Sequence, residues 1–239
     1  MDYEEINYQS YARDRQLESS LAFPVLMRKT YLWMTMALVI TGLTAFVVAT
    51  NSAITSFLNL HHQVIWVLFF AELALVIGIN AAINKISLPV ATLMFIAYAA
   101  LNGVTFSSLF YVYTAGSLAA TFLITAGTFG AMSAFGFFTK VDLSSIGKIL
   151  LMALIGLIIA TVVNIFVESS ALEMILSYVG VLIFVGLTAY DTQKIKNMFL
   201  MAPDASSTMQ KYALLGALML YLDFINLFLY LLRIFGKRD

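Results

Sequence analysis

The sequence predicts an all-α, polytopic membrane helix bundle of about seven spans, and three observations carry that prediction. The 239-residue chain is 62% hydrophobic and only 11% charged, whereas a soluble domain carries roughly 45–50% apolar and about 25% charged residues. The apolar residues gather in runs near the length of about 20 that crosses a bilayer as a helix. Short polar joints separate the runs. Backbone groups in hydrocarbon must pair within their own segment, so each run is a helix, and the alternating ten-residue pattern of a membrane barrel is absent.

The runs cover residues 31–50, 64–83, 89–113, 118–138, 149–167, 174–190 and 212–233. Residues 1–30 form a polar N-terminal head, too poor in apolar residues to fold alone and read as disordered. Residues 31–239 form the transmembrane domain. The head has no apolar core followed by a small-residue cleavage site, so the first span is read as the uncleaved insertion signal. Net charge is zero and the basic residues are scattered, which excludes a nucleic-acid partner. The absence of cysteine excludes disulfides and thiolate chemistry.

Lys and Arg collect in cytoplasmic loops. Counting spans from the N-terminus puts Arg13, Arg15, Arg28, Lys29, Lys85, Lys140, Lys148, Lys194, Lys196 and Lys211 on the N-terminal side, against Arg233, Lys237 and Arg238 on the other. The N-terminus is therefore expected in the cytoplasm and the C-terminus outside, with the basic tail as the one feature pulling the other way. The fourth span is dense in small residues (Ala126, Gly127, Gly130, Ala131, Ser133, Ala134 and Gly136), which predicts close helix packing along it.

Three carboxylates lie in or against apolar runs: Glu72, Asp191 and Asp223. An ionised group at the bilayer centre costs roughly 2.5–3.5 kcal/mol on insertion scales, so such residues face the bundle interior and mark a pathway. Asp223 has no basic residue within a helical turn. It shares a stripe with Gly216, Met219, Asn226 and Tyr230 that should point inward. Asp191 precedes Lys194 by three residues, so a surface ion pair at a helix end competes with an interior role. If its helix continues to about Phe199, Asp191 lies roughly 12 Å from the cytoplasmic end, and Asp223 lies roughly 21 Å from the start of a helix beginning near Met209. That difference is small enough for adjacent antiparallel helices to bring the two together. Glu72 is mid-span, either a satisfied carboxyl or, with Asn226, part of the same pathway.

Two facing carboxylates repel, so together they hold one proton more readily than a lone Asp does. A hard cation such as Ca²⁺ accepts the same oxygens and competes with that proton. The pattern predicts a pH-tuned cation site at Asp191 and Asp223, closed when the proton is shared and open when it leaves or a cation enters. His61 and His62 read as an ordinary polar loop, and no phosphate loop, Gly-x-Ser-x-Gly or His-Glu-x-x-His motif occurs.

The segment Gly186-Leu187-Thr188-Ala189-Tyr190-Asp191-Thr192-Gln193-Lys194-Ile195, with Leu220-Tyr221-Leu222-Asp223-Phe224-Ile225-Asn226-Leu227-Phe228, closely resembles the bacterial branch of the Bax inhibitor-1 family. The resemblance covers essentially the whole chain after the head. It implies a seven-helix fold with the last helix at its centre, in a bacterial inner membrane, and a pH-sensitive calcium leak gated by two aspartates matching Asp191 and Asp223. The family pattern also has an arginine near the cytoplasmic end of the second helix that latches the aspartates. Here that region reads Asn80-Ala81-Ala82-Ile83-Asn84-Lys85, which leaves Lys85 as the latch candidate, although lysine lacks arginine's planar bidentate fork.

The expected partners are therefore the lipid bilayer and Ca²⁺ or H⁺, with no cofactor beyond Ca²⁺ as the bound or transported ion. A rival reading is an interaction protein that modulates a membrane protease or stress survival without conducting ions, using the polar head as its contact. An intramembrane aspartyl protease is disfavoured, because Tyr221-Leu222 precede Asp223 where that chemistry places Gly-x-Gly. No enzymatic activity is expected.

Overall fold

The computed structural model describes residues 3–61 and 63–237, and the backbone alone for residues 3–20 and Asn59. Asp2 of the head, His62 of the histidine pair and Arg238 of the basic tail lie outside the described residues.

Among the described residues the elements are all helices: α1 (Tyr3–Thr50), α2 (Ser52–Leu60), α3 (Gln63–Ala82), α4 (Leu88–Phe106), α5 (Leu109–Val112), α6 (Ala115–Phe138), α7 (Ser144–Val167), α8 (Ser170–Leu200) and α9 (Ser207–Phe235). Seven helical segments are long and apolar enough to cross a membrane, α4 and α5 together making the third (Leu88–Val112). The starts are chemically marked. Asn51 accepts the N–H groups of Ala53 and Ile54 at 3.1 and 3.2 Å, Thr114 accepts that of Ser117 at 3.2 Å, and Pro89 occupies the first turn of α4. Each device satisfies or removes a donor that a helix start leaves unpaired.

The backbone of the polar head is described as helical from Tyr3 and continuous with the first span. Its Glu, Gln, Arg, Ala and Leu residues are good helix formers, and an already formed span removes the nucleation penalty that a free peptide of that length would face. Close packing along the small residues of α6 holds at Ser133 and Gly136, which are buried. It fails at Gly127, Gly130, Ala131 and Ala134, which are not buried. These residues sit off the stripe of Thr121, Thr125, Phe129, Ser133 and Gly136 that packs inward, as the helical period requires.

The last helix is the axis of the bundle. Its membrane window is 61% buried, against 6% for α3 and for α7. It packs on α8, α1, α6 and α4, while α3 leans on α4 and α7 on α8. Tyr221, Leu214, Leu218, Leu220 and Leu227 of α9 are fully enclosed, as expected of a helix that is packed mostly against protein.

Candidate functional site

The site is built where α8 and α9 run side by side. The hydropathy of α8 fades at Tyr190, yet the helix continues to Leu200 because nothing breaks it before Ala202-Pro203. Asp191 is thus well inside a helix, not at a frayed end. Asp191 is 9% exposed and Asp223 4%, and their carboxyl groups lie within hydrogen-bonding reach of each other. Lys194, the competing partner for Asp191, is exposed, with its ammonium 5.8 Å from the centre of the Tyr190 ring.

Asp223 Oδ2 is, among the described residues, the buried side-chain polar atom with no hydrogen-bond partner. Ionised carboxylates offer acceptors only. Two of them in contact and out of water are therefore held together only by a proton or a cation placed between them. A proton supplies one donor, and a cation supplies positive charge to both. No group of three or more His, Asp or Glu occurs among the described residues, so a cation at the pair would draw its remaining oxygens from carbonyls or water.

The shell around Asp191 ties this end of α8 to three neighbouring segments. Asp191, Thr192 and Gln193 are all buried, although consecutive residues of a helix point about 100° apart. Each faces a different neighbour. Asp191 faces α9. Thr192 Oγ1 lies 3.1 Å from Ser133 Oγ of α6, which lies 2.6 Å from the Tyr31 hydroxyl of α1. Gln193 clamps the α6–α7 joint, accepting the Leu143 N–H at 2.8 Å and donating to the Val141 carbonyl at 2.7 Å. One turn on, Lys196 donates to the Phe137 carbonyl at 2.6 Å and caps the C-terminal end of α6 with positive charge.

On α9, Asp223 is held by its neighbours. Tyr221 is fully buried, its hydroxyl 2.8 Å from Thr41 of α1, while the Phe95 and Tyr98 rings meet it edge-on. Gly136 of α6 lets the helices close. A Cβ there would overlap the Ala189 carbonyl, two residues before Asp191.

The structure brings Asp191 and Asp223 together and leaves the other sequence candidates apart. Glu72 sits at the α3–α4 contact and accepts the Thr105 hydroxyl at 2.6 Å. Asn226 is half-buried one turn past Asp223, its amide donating back to the Leu222 carbonyl at 2.8 Å. Lys85 is exposed in the turn after α3. The lysine that reaches this turn from α9 is Lys211, which donates to the Ile86 carbonyl at 3.1 Å. The Tyr31–Ser133–Thr192 chain and the Gln193 clamp escape sequence reading because their residues stand on helices far apart in the chain. The signal available is the polar run Asp191-Thr192-Gln193 inside a helix that has not yet ended.

Replacing Gln193 with leucine leaves the buried Leu143 N–H without an acceptor. A loss of about 1–3 kcal/mol is expected, read as a lower midpoint in thermal unfolding of the purified protein. An unchanged midpoint would show that the clamp contributes nothing.

The chain matches the family model described as inhibitor of apoptosis-promoting Bax1 over residues 24–239. The inner membrane protein YbhL of Escherichia coli K12 is 51% identical over 213 residues, covering 89% of this chain and 91% of that protein. A protein of Borreliella burgdorferi is 44% identical over 212 residues, covering 89% and 91%. A membrane protein of Streptococcus pyogenes is 42% identical over 168 residues, covering 70% and 72%.

Proposed function

The chain belongs to the family of inhibitors of apoptosis-promoting Bax1, and from that premise we propose that this multi-pass membrane protein is a pH-sensitive cation leak, passing calcium, gated by Asp191 and Asp223. The observation that carries the reading is the buried carboxyl pair with an unpartnered oxygen on Asp223. The shared proton is the closed state. Its loss, or entry of a cation, turns an attraction into a repulsion within a packed interface, and a packed interface responds by switching between arrangements.

The proposed orientation rests on charge in three dimensions. The α3–α4, α6–α7 and α8–α9 joints are tied to one end of the bundle by Lys211, Gln193 and Lys196. That end also carries Lys85, Lys140 and Lys194, and it is assigned to the cytoplasm with the N-terminus.

Carboxylates outside the membrane do not share this response. Ser144, through its side chain and then its backbone N–H, holds Asp142 below the usual carboxylate range, and Ser206 does the same for Asp204. Both groups stay ionised as pH falls, until it passes through that lowered range. Only there do their turn hydrogen bonds weaken, so a response near neutrality belongs elsewhere.

The test is calcium entry into dye-loaded proteoliposomes as external pH is raised. Flux that climbs with pH supports the leak. Vesicles no leakier than protein-free ones at every pH would reject it and leave the protein as an interaction partner of other membrane proteins.

A further inference from the structure

Away from the carboxylates, an apolar groove of about 460 Å³ opens between α1 and α6. Its floor is the central helix, at Phe224 and Phe228, and its walls carry small residues, Gly42 and Ala45 on α1 and Ala119 on α6. Thr41 is its one polar lining residue among those described. The Thr41 hydroxyl is already committed, donating to the Ala99 carbonyl at 2.9 Å and lying 2.8 Å from the Tyr221 hydroxyl. Such a groove offers water no partners.

Its length and its open end suit one occupant. Its α6 wall runs from Ala115, the first residue of that helix, to Leu123, about 12 Å at the helical rise. The groove therefore reaches from the leaflet surface toward the middle of a ~30 Å hydrocarbon core. A protein helix about 10 Å wide would need roughly 900 Å³ over that length, more than the groove holds, whereas a single hydrocarbon chain is much thinner. At the leaflet surface the C-terminal tail is pinned to the start of α6. The Thr114 N–H donates to the Lys237 carbonyl at 3.2 Å, and the Lys237 N–H donates to Ser117 Oγ at 2.9 Å. An exposed lysine and a helix start, both favourable to negative charge, thus stand where a lipid headgroup would lie.

We propose that this groove holds one acyl chain of a phospholipid from the C-terminal leaflet, with the lipid's phosphate at Lys237 and the start of α6. The chain lies against Phe224, the residue after Asp223, and against Thr41, which is hydrogen-bonded to Tyr221. The lipid therefore touches the helix segment that carries the gate directly at Phe224 and reaches Tyr221 through Thr41.

The full chain, stripped of lipid in detergent and titrated with phosphatidylglycerol, is expected to retain one lipid per protein in native mass spectrometry. Gly42→Leu and Ala119→Phe fill the groove and are expected to lose that lipid. A Cβ at Gly42 meets nothing within 4 Å, so the fold should accept the change, and an unaltered thermal midpoint checks this. Lys237→Ala is expected to weaken phosphatidylglycerol retention and to leave diacylglycerol retention unchanged. Equal retention by the groove-filling variants, no effect of Lys237→Ala, or a dimer that the groove-filling variants dissolve would each overturn the proposal. Should those variants unfold, a phosphatidylglycerol with a photoreactive diazirine in its chain decides on the wild type. Adducts concentrated on Phe224 and Phe228 support the proposal, and adducts spread evenly over lipid-facing α7 overturn it.

Discussion

Asp223→Asn is expected to flatten the dependence of calcium flux on pH. In the wild type one shared proton sets the balance between closed and open pairs, so flux should climb by up to about tenfold per pH unit on the acid side of the midpoint and level off above it. The sign follows from the closed state holding the proton: flux is low in acid and rises as pH rises. Asparagine cannot titrate, and its amide can donate to Asp191 at any pH, so the contact survives without the proton. Flux should then vary by less than about twofold over the same interval. Replacing Asp223 also removes the buried oxygen that has no partner, so the variant should fold at least as well as the parent. A curve superimposable on wild type would reject the shared proton as the gate.

Gly136→Ala is expected to destabilise the bundle by about 1–3 kcal/mol, as overpacking a close contact does, because its methyl would overlap the Ala189 carbonyl. That neighbour is helix backbone and cannot rotate away as a side chain would. The strain falls two residues from Asp191, so the lower thermal midpoint should come with a disturbed gate. Gly127→Ala on the same helix is the matched comparison. Nothing lies within 4 Å of a Cβ there, and alanine is favoured over glycine in a helix by up to about 1 kcal/mol, so its midpoint should hold or rise. Equal effects at both positions would show that α6 and α8 do not meet closely at Gly136.

The spans are legible because their signal is hydropathy, and each of the seven apolar runs corresponds to one candidate span, the third made of α4 and α5 together. The helices overshoot the runs for a physical reason. Hydropathy marks the part of a helix in hydrocarbon, while hydrogen bonding carries α8 on to Leu200 and starts α7 at Ser144 and α9 at Ser207, out through the headgroups. Helix α2 reads as a polar joint because its apolar residues are interrupted and far too short a run to span, yet Ile54, Phe57 and Leu60 are exposed on a nine-residue helix of the kind that rests at a membrane surface. The small residues of α6 show the opposite limit. Composition says that a helix can be approached closely, but not from which side.

The carboxyl pair is legible for a simpler reason. An acidic side chain in an apolar run needs a polar partner, and Asp223 has none on its own helix. Its meeting with Asp191 follows from comparable depths on adjacent helices. The shell that fixes the pair is hidden, because a buried Gln193 holding a loop looks in sequence like any other helix-end glutamine. Lys196 and Lys211 likewise read as loop charges until their carbonyl partners at Phe137 and Ile86 are in place.

The most direct test of the gate is an infrared titration of the reconstituted protein, following the carbonyl stretch of protonated carboxyl groups beside calcium flux. One such band should fade over the pH interval in which flux rises, and Asp191→Asn should shift both its position and its midpoint, because the proton belongs to the pair. A band left unchanged by Asp191→Asn, or one that titrates apart from the flux, would show that the two side chains hold their protons independently.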